Sequence, residues 1–240
     1  MSSTEVGVPS TRIAAGGGSR FDLLRLAVYS DAALLVVAGG LVIFYAPADA
    51  VEGIVQKIFY LHVPAAIAAY LCFGAVLVGG LVYLWNESPA ADRLARSGAE
   101  VGLVFTTVTL VMGSIWAKPI WGSYWVWWDA RLVSTLVLWL IYAGYLLARR
   151  IAAPGRQAAR FGAVIGVVGF IDVPIVHFSV TWWRTIHPPV ETAAPSSLPP
   201  EMLLTFAVST LAVLLLSGVL IGYRYRIETL RDSLAAALDR

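Results

Sequence analysis

Six long apolar segments constrain this chain more than any other feature of its sequence. Each is about 20 residues long, which is the length that an α-helix needs to cross the hydrocarbon core of a bilayer. A backbone exposed to lipid must satisfy its hydrogen bonds internally, so such segments form helices rather than loops or open sheets. We therefore predict an all-α polytopic membrane protein with six transmembrane helices. The spans are expected at residues 23–46, 60–84, 99–117, 131–149, 160–178 and 202–223.

The overall composition agrees with this class and leaves little of the chain outside the membrane. Hydrophobic residues make up 59% of the chain and charged residues 13%, whereas soluble domains are typically roughly 25% charged. Residues 1–20 are polar and rich in Gly and Ser, without the apolar core of a signal peptide. We expect a disordered cytoplasmic tail at 1–20, a transmembrane domain at 21–225 with an external loop at 118–131, and a short cytoplasmic tail at 226–240.

The positions of the basic residues predict the orientation of the chain. Of the 17 lysines and arginines, four fall on the side of the first, third and fifth connecting segments, namely Lys57, Lys118, Arg131 and Arg184. The other 13 fall on the side of the two termini. Because positive charge is enriched in cytoplasmic loops, both termini are expected in the cytoplasm, and the net charge of +2 gives no reason to expect a nucleic-acid partner.

A cluster of tryptophans follows the third predicted span. Four of the nine tryptophans, Trp121, Trp125, Trp127 and Trp128, lie within eight residues, and an acid, Asp129, follows directly. Indole rings suit the boundary between lipid and water, because the ring face stays in an apolar layer while the N–H stays wet. The cluster is therefore interpreted either as a membrane anchor or as a flat aromatic surface for a flat hydrophobic ligand.

All three histidines fall on the predicted outer side, as the tryptophan cluster does. Neutral imidazole is a good ligand for iron and similar metals, and two imidazoles approaching a flat ring from opposite faces would give a six-coordinate haem. His62 and His187 are the better candidates, because each lies at a span end or in a loop. His177 is the weakest candidate, since it falls within the fifth span, and any lone histidine has the alternative of being an ordinary interfacial residue.

Two charged residues close the tryptophan cluster. Asp129 and Arg131 are open to two interpretations: an exposed boundary ion pair, which would contribute little, or a pair in which Asp129 positions the loop and Arg131 meets a ligand carboxylate. Haem carries two propionates, and the guanidinium group is well shaped to bind a carboxylate.

The tryptophan cluster with Asp129 and Arg-Leu behind it resembles the WWD motif of membrane haem-handling proteins in cytochrome c biogenesis. Two further segments strengthen the resemblance: Phe-Tyr-Leu-His-Val-Pro around His62 and Val-Thr-Trp-Trp-Arg-Thr-Ile-His before residue 188. With six spans and 240 residues, the chain resembles the CcmC family of the cytochrome c maturation system over roughly residues 20–225.

The resemblance implies a function, a location and a set of partners. It implies haem b held at the outer face of the cytoplasmic (inner) membrane by His62 and His187, and presented to a membrane-anchored periplasmic haem chaperone. It also implies an ABC transporter, with its ATPase and membrane subunits, and a small single-span subunit as partners in the bilayer. The implied haem-binding residues of the WWD segment are Trp121, Gly122, Trp125, Trp127, Trp128, Asp129 and Arg131. Which of Trp127 and Trp128 contacts haem stays open.

Two other functions are compatible with the same residues. A b-type electron carrier would hold haem between helices through His62 and His177. A permease without a cofactor would use Asp172, Pro174 and the glycine-rich helices to line a path. No pairing of a nucleophile with a base is evident, so a haem-delivery protein is expected rather than a conventional enzyme.

Overall fold

The computed structural model describes residues 18–152, 155–187 and 198–238, with side chains from residue 23 onward. These residues form helices and connecting segments, without a strand. The helices are α1 (Gly18–Gly40), α2 (Phe59–Asn86), α3 (Pro89–Trp121), α4 (Ala130–Ile151), α5 (Arg156–Gly169), α6 (Asp172–Trp182) and α7 (Pro200–Leu238). A π-helical turn, Leu41–Tyr45, extends α1, and a 3₁₀ turn, Ile54–Ile58, precedes α2.

The prediction of an all-α chain with six membrane-spanning segments is confirmed. Among the described residues, six helical segments are long and apolar enough to cross a bilayer. The fifth of them, Arg156–Trp182, consists of two helices, α5 and α6, that meet at Phe170 and Ile171. Pro174 explains the break, because proline lacks the N–H that would bond the carbonyl of Phe170 and its ring crowds that carbonyl. The backbone N–H of Val173 bonds the Phe170 carbonyl oxygen instead, at 3.0 Å.

Several helices extend beyond the apolar segments that predict them. Helix α3 begins at Pro89 rather than at residue 99, because Ser88 caps it by accepting a bond from the backbone N–H of Ala91 at 3.4 Å. Helix α7 continues to Leu238, so most of the segment expected as a tail at 226–240 is helical. The tail expected at 1–20 lies largely outside the described residues, and α1 already begins at Gly18.

Helices α2 and α3 form the most extensive interface among the described helices, and glycines allow their approach. A Cβ atom added to Gly98 would lie 2.7 Å from the backbone oxygen of Cys72, and one added to Gly102 would lie 2.6 Å from the ring of Phe73. Small residues at such contacts are the usual means by which membrane helices pack. This tight interface fixes the position of α3, and hence of the tryptophan cluster at its end, relative to the first turn of α2.

Ion pairs tie together the end of the bundle away from the histidines. Arg149 makes two hydrogen bonds to the carboxylate of Asp92, at 2.6 and 2.7 Å, which joins α4 to α3. Glu228, which is buried, accepts from Arg96 at 2.8 Å and from Arg231 at 2.8 Å, which joins the end of α7 to α3. These contacts hold three helices in register at this end of the bundle, opposite the end where the three histidines lie. We call that opposite end the histidine end.

Candidate functional site

The histidine end contains a cavity of about 520 Å³, lined by α2, α3, α4, α6 and α7, by Trp125 between α3 and α4, and by His187 after α6. Along α2 it extends from His62 to Tyr70, a helical rise of about 12 Å. Most of its lining is apolar, with side chains such as Ile67, Leu110 and Leu138. The lining residues singled out by the sequence are His62, Trp121, Trp125, Arg131, His177 and His187.

His62 lies in the first turn of α2 and packs against α3. A Cβ atom added to Gly113 would lie 2.7 Å from Cε1 of the His62 ring, so the absence of a side chain at residue 113 makes room for the imidazole. The ring of Trp116 meets the imidazole edge to face, with centroids 5.9 Å apart. The Nδ1 atom of His62 is buried without a hydrogen-bond partner, and the backbone of Thr109 on α3 is a polar neighbour of the ring.

His187 reaches the same cavity from the segment that follows α6. Its Nδ1 atom lies 3.1 Å from Oδ1 of Asp129, and 17% of its side chain is exposed. The ring of Trp121 packs edge to face against it, with centroids 4.9 Å apart. His62 and His187 therefore enter one cavity from two different elements of the bundle.

Asp129 joins the tryptophan segment to the segment that carries His187. Its side chain is fully buried, and Oδ1 caps α4 by accepting bonds from the backbone N–H groups of Arg131 and Leu132. The other oxygen, Oδ2, accepts from Thr185 Oγ1 at 2.5 Å and from the backbone N–H of Ile186 at 3.0 Å. Of the two interpretations of Asp129, the structure favours the one in which this carboxylate positions the loop.

The hydrogen bonds around Asp129 decide its charge and the tautomer of His187. Burial opposes ionisation, but the bonds from His187, Thr185 and two backbone N–H groups outweigh it and hold the pKa of Asp129 well below its usual value. An ionised carboxylate only accepts hydrogen bonds. His187 therefore donates through Nδ1–H, which leaves the lone pair of Nε2 available to bind a metal ion.

Arg131 lies at the start of α4 and is one of the lining residues of the cavity. Its Nη2 atom donates to the backbone oxygen of His177 at 2.9 Å, which orients the guanidinium group. Its Nε atom is buried without a hydrogen-bond partner. A partly buried guanidinium with a donor to spare is suited to a carboxylate or another anion in the cavity.

The four tryptophans of the cluster divide into two pairs. Trp121 and Trp125 line the cavity, and Nε1 of Trp125 is buried without a partner. Trp127 and Trp128 are 75% and 64% exposed and are not among the lining residues. Gly122 lies outside the lining too: it ends α3 with a φ of 75°, a conformation that glycine adopts without strain. The segment between α3 and α4 is thus shorter than the loop predicted at 118–131, because α3 continues to Trp121.

The structure adds three residues to the site that the sequence analysis did not single out. Gly113 and Trp116 lie one turn apart on α3, where a spacing of three residues puts them on one helix face. Thr185, two residues before His187, bonds both Asp129 and the backbone N–H of His187. The i, i+3 spacing of Gly113 and Trp116 is visible in the sequence. Only the packing of α2 on α3 shows that both residues contact the ring of His62.

Comparisons with known proteins agree on one family. The family model described as heme exporter protein C matches residues 19–239. Heme exporter protein C of Bradyrhizobium diazoefficiens is 39% identical over 188 residues, which is 78% of this chain and 71% of the relative. Heme exporter protein C of Escherichia coli is 38% identical over 182 residues, covering 76% and 74%. A ccmC-like mitochondrial protein of Marchantia polymorpha, named for cytochrome c biosynthesis, is 38% identical over 156 residues, covering 65% of each chain.

Proposed function

This chain belongs to the heme exporter protein C (CcmC) family, and we propose that it binds haem in the cavity at the histidine end and presents it for the maturation of c-type cytochromes. One observation carries the proposal. His62 and His187 reach a single apolar cavity from different elements, and the His187 nitrogen that faces away from Asp129 is free to bind iron.

The residues around the cavity fit haem in size and in chemistry. A volume of about 520 Å³ lies within the range of about 300–1,000 Å³ that is usual for ligand pockets. Outside the His62 ring, two buried nitrogen atoms at the cavity lack a hydrogen-bond partner: Trp125 Nε1 and Arg131 Nε. Buried polar atoms without partners are rare in proteins. A ligand with an apolar ring would fill the apolar cavity, and its carboxylates would accept hydrogen bonds from such nitrogen atoms.

Each of these residues has a distinct task in the proposed site. Bound haem supplies an iron with two axial positions and two propionates. His62 and His187 bind the iron, and Arg131 holds a propionate. Trp121 and Trp125 pack on the porphyrin and exclude water, while Asp129 fixes the orientation of His187. The chain forms no bond to carbon itself, so its contribution is orientation and the exclusion of competing reactions.

Presentation of haem requires a surface that an acceptor can reach. Trp127 and Trp128 form such a surface with Tyr124, which is 58% exposed, and Trp127 contacts Trp125 with ring centroids 5.6 Å apart. We assign this exposed surface to contact with a membrane-anchored periplasmic haem chaperone. The proposed location is the cytoplasmic (inner) membrane, and the distribution of basic residues supports an orientation with the histidine end outside. The proposed bilayer partners are the ATPase and membrane subunits of an ABC transporter and a small single-span subunit, and haem b is the proposed form of the cargo.

A b-type electron carrier is the second candidate, because His177 lines the same cavity. Its ring packs edge to face on Phe178, with centroids 4.8 Å apart, and its backbone oxygen is bonded by Arg131. His187 is better prepared as a ligand, since a buried carboxylate fixes both its orientation and its tautomer. The haem-delivery function is therefore the better supported of the two.

Transfer of haem to the chaperone tests the proposal. Cells lacking their own copy of this chain receive the wild type, His187→Ala or His177→Ala, and covalent haem on the chaperone is measured together with the amount of each variant in the membrane. We expect His187→Ala to abolish the labelling and His177→Ala to retain it. Full labelling of the chaperone with His187→Ala would support the electron carrier instead. Labelling that is lost with His177→Ala but kept with His187→Ala would do the same.

A further inference from the structure

The two histidines of the cavity are supported in different ways. His187 bonds the buried carboxylate of Asp129 through Nδ1 at 3.1 Å. His62 has no corresponding partner, and its Nδ1 atom is buried with no hydrogen bond. One ring is thus fixed by a charge-assisted hydrogen bond, and the other is not.

Packing supplies most of the contacts that hold the imidazole of His62. The ring lies between the open position at Gly113 and the edge of Trp116. The indole of Trp116 is itself fixed, because its Nε1 donates to Oε2 of Glu52 at 2.9 Å. The contacts that hold His62 are therefore mainly steric, and its polar neighbour is the neutral backbone of Thr109 rather than a carboxylate.

This difference affects how strongly each imidazole binds a metal. A histidine that donates its second N–H to a carboxylate is a more basic ligand and is held in one orientation, and loss of such a partner typically weakens metal binding by about 10–100-fold. Asp129 is held in place by four further donors, from Thr185, Ile186, Arg131 and Leu132. The carboxylate is therefore held beside His187 without any ligand in the cavity.

We infer that His187 is the retained axial ligand and that His62 is the exchangeable one, so that the bond from His62 opens first when another donor reaches the haem. The inference rests on the proposed function. In this exchange His62 withdraws the lone pair of Nε2 and the incoming donor supplies its own pair, so no proton moves and the oxidation state of the iron is unchanged. His62 thereby frees one axial position while His187 keeps the haem in the cavity.

Carbon monoxide is a suitable probe, since it replaces one axial ligand of ferrous haem and its vibrations report the ligand that remains. The full chain is loaded with haem in detergent, reduced and exposed to carbon monoxide, and the Fe–CO and C–O stretches are measured. The same spectra are recorded for His62→Gly, which retains His187, and for His187→Gly, which retains His62. We expect the wild-type frequencies to match those of His62→Gly.

Asp129→Asn in the otherwise wild-type chain gives an independent readout that does not require His187→Gly to keep its haem. If His187 lies opposite carbon monoxide, the substitution shifts both stretches, because the hydrogen bond to His187 changes. Wild-type frequencies that match His187→Gly, an equal mixture of the two patterns, or no shift with Asp129→Asn would overturn the inference. A wild-type chain without a Soret band after haem addition would instead contradict the proposed function.

Discussion

The carboxylate of Asp129 lies 3.1 Å from the ring of His187, measured from Oδ1 to Nδ1, in a position with no exposure to solvent. This contact joins the end of the tryptophan cluster to a segment more than 50 residues further along the chain. It gives the aspartate that follows the tryptophans a physical task, which is to cap α4 and to orient a ligand imidazole at the same time. The motif is therefore a support for the site as well as part of its surface.

Asp129→Asn is expected to weaken haem binding by about 10–100-fold, the usual effect of removing the partner of a metal-bound histidine. An amide has one acceptor oxygen, so it cannot serve both the α4 cap and the segment of His187. Titration of the purified protein with haem, followed at the Soret band, measures the change. Asp49→Asn is the matched control, because Asp49 also caps a turn by accepting from Val51 and Glu52 but does not line the cavity. Unchanged haem affinity in Asp129→Asn would refute the assignment.

Gly113→Ala is expected to displace His62 and to weaken haem binding by about tenfold or more, as for a misplaced metal ligand. The added methyl would lie 2.7 Å from Cε1 of the ring, which is too close for the imidazole to keep its place. Gly74→Ala is the control, since it lies on the same helix as His62 and its Cβ would meet nothing within 4 Å. The haem titration is compared at equal membrane yield. Equal affinities for the two variants would show that His62 does not depend on this contact.

Arg131→Gln is expected to weaken the binding of haem but not that of haem dimethyl ester, in which both propionates are blocked. A hydrogen bond to a charged group contributes about 1.5–3 kcal/mol, or roughly 10–150-fold in affinity. Lys118→Gln controls for the loss of positive charge at the histidine end, because Lys118 is exposed and is not a lining residue. If the ester and the free acid lose affinity equally in Arg131→Gln, the guanidinium has a structural task rather than the proposed one.

The double variant Trp127→Ala/Trp128→Ala is expected to bind haem normally and to transfer it poorly. Both rings are largely exposed and neither lines the cavity, so they are available to the chaperone. Loss of a tryptophan at the centre of an interface commonly weakens association by about 2 kcal/mol, or roughly thirtyfold. Soret absorbance and covalent haem on the chaperone are measured side by side. Trp125→Ala, by contrast, is expected to lower the Soret absorbance, because Trp125 lines the cavity. Normal Soret absorbance in Trp125→Ala together with reduced Soret absorbance in the double variant would contradict these assignments.

The membrane architecture was predictable from sequence because it depends on the length of apolar segments, which is a local property. The residues at which the helices begin and end were less predictable from the sequence. The start of α3 at Pro89 depends on the cap at Ser88, and the continuation of α7 depends on the ion pairs of Glu228. The break before α6 has a local cause in Pro174, but apolar length alone does not reveal it.

The candidate site was predictable in part. The pattern of residues pointed to His62, His187 and the tryptophan cluster, and the resemblance to a family supplied their pairing. The contact of Asp129 with His187 and the place of His62 against Gly113 arise from helix packing over long distances in the sequence, which no local pattern contains. The division of the tryptophans follows from the end of α3 at Trp121, which leaves Trp125 beside the cavity and exposes Trp127 and Trp128.

The most direct test of the account is the electron paramagnetic resonance spectrum of the oxidised, haem-loaded protein, recorded for the wild type and for single alanine variants of the three histidines. The account predicts a low-spin signal typical of two axial imidazoles in the wild type and in His177→Ala, and its loss in both His62→Ala and His187→Ala. A two-imidazole signal that survives in His62→Ala or in His187→Ala would contradict the claim that these two residues hold one haem between them.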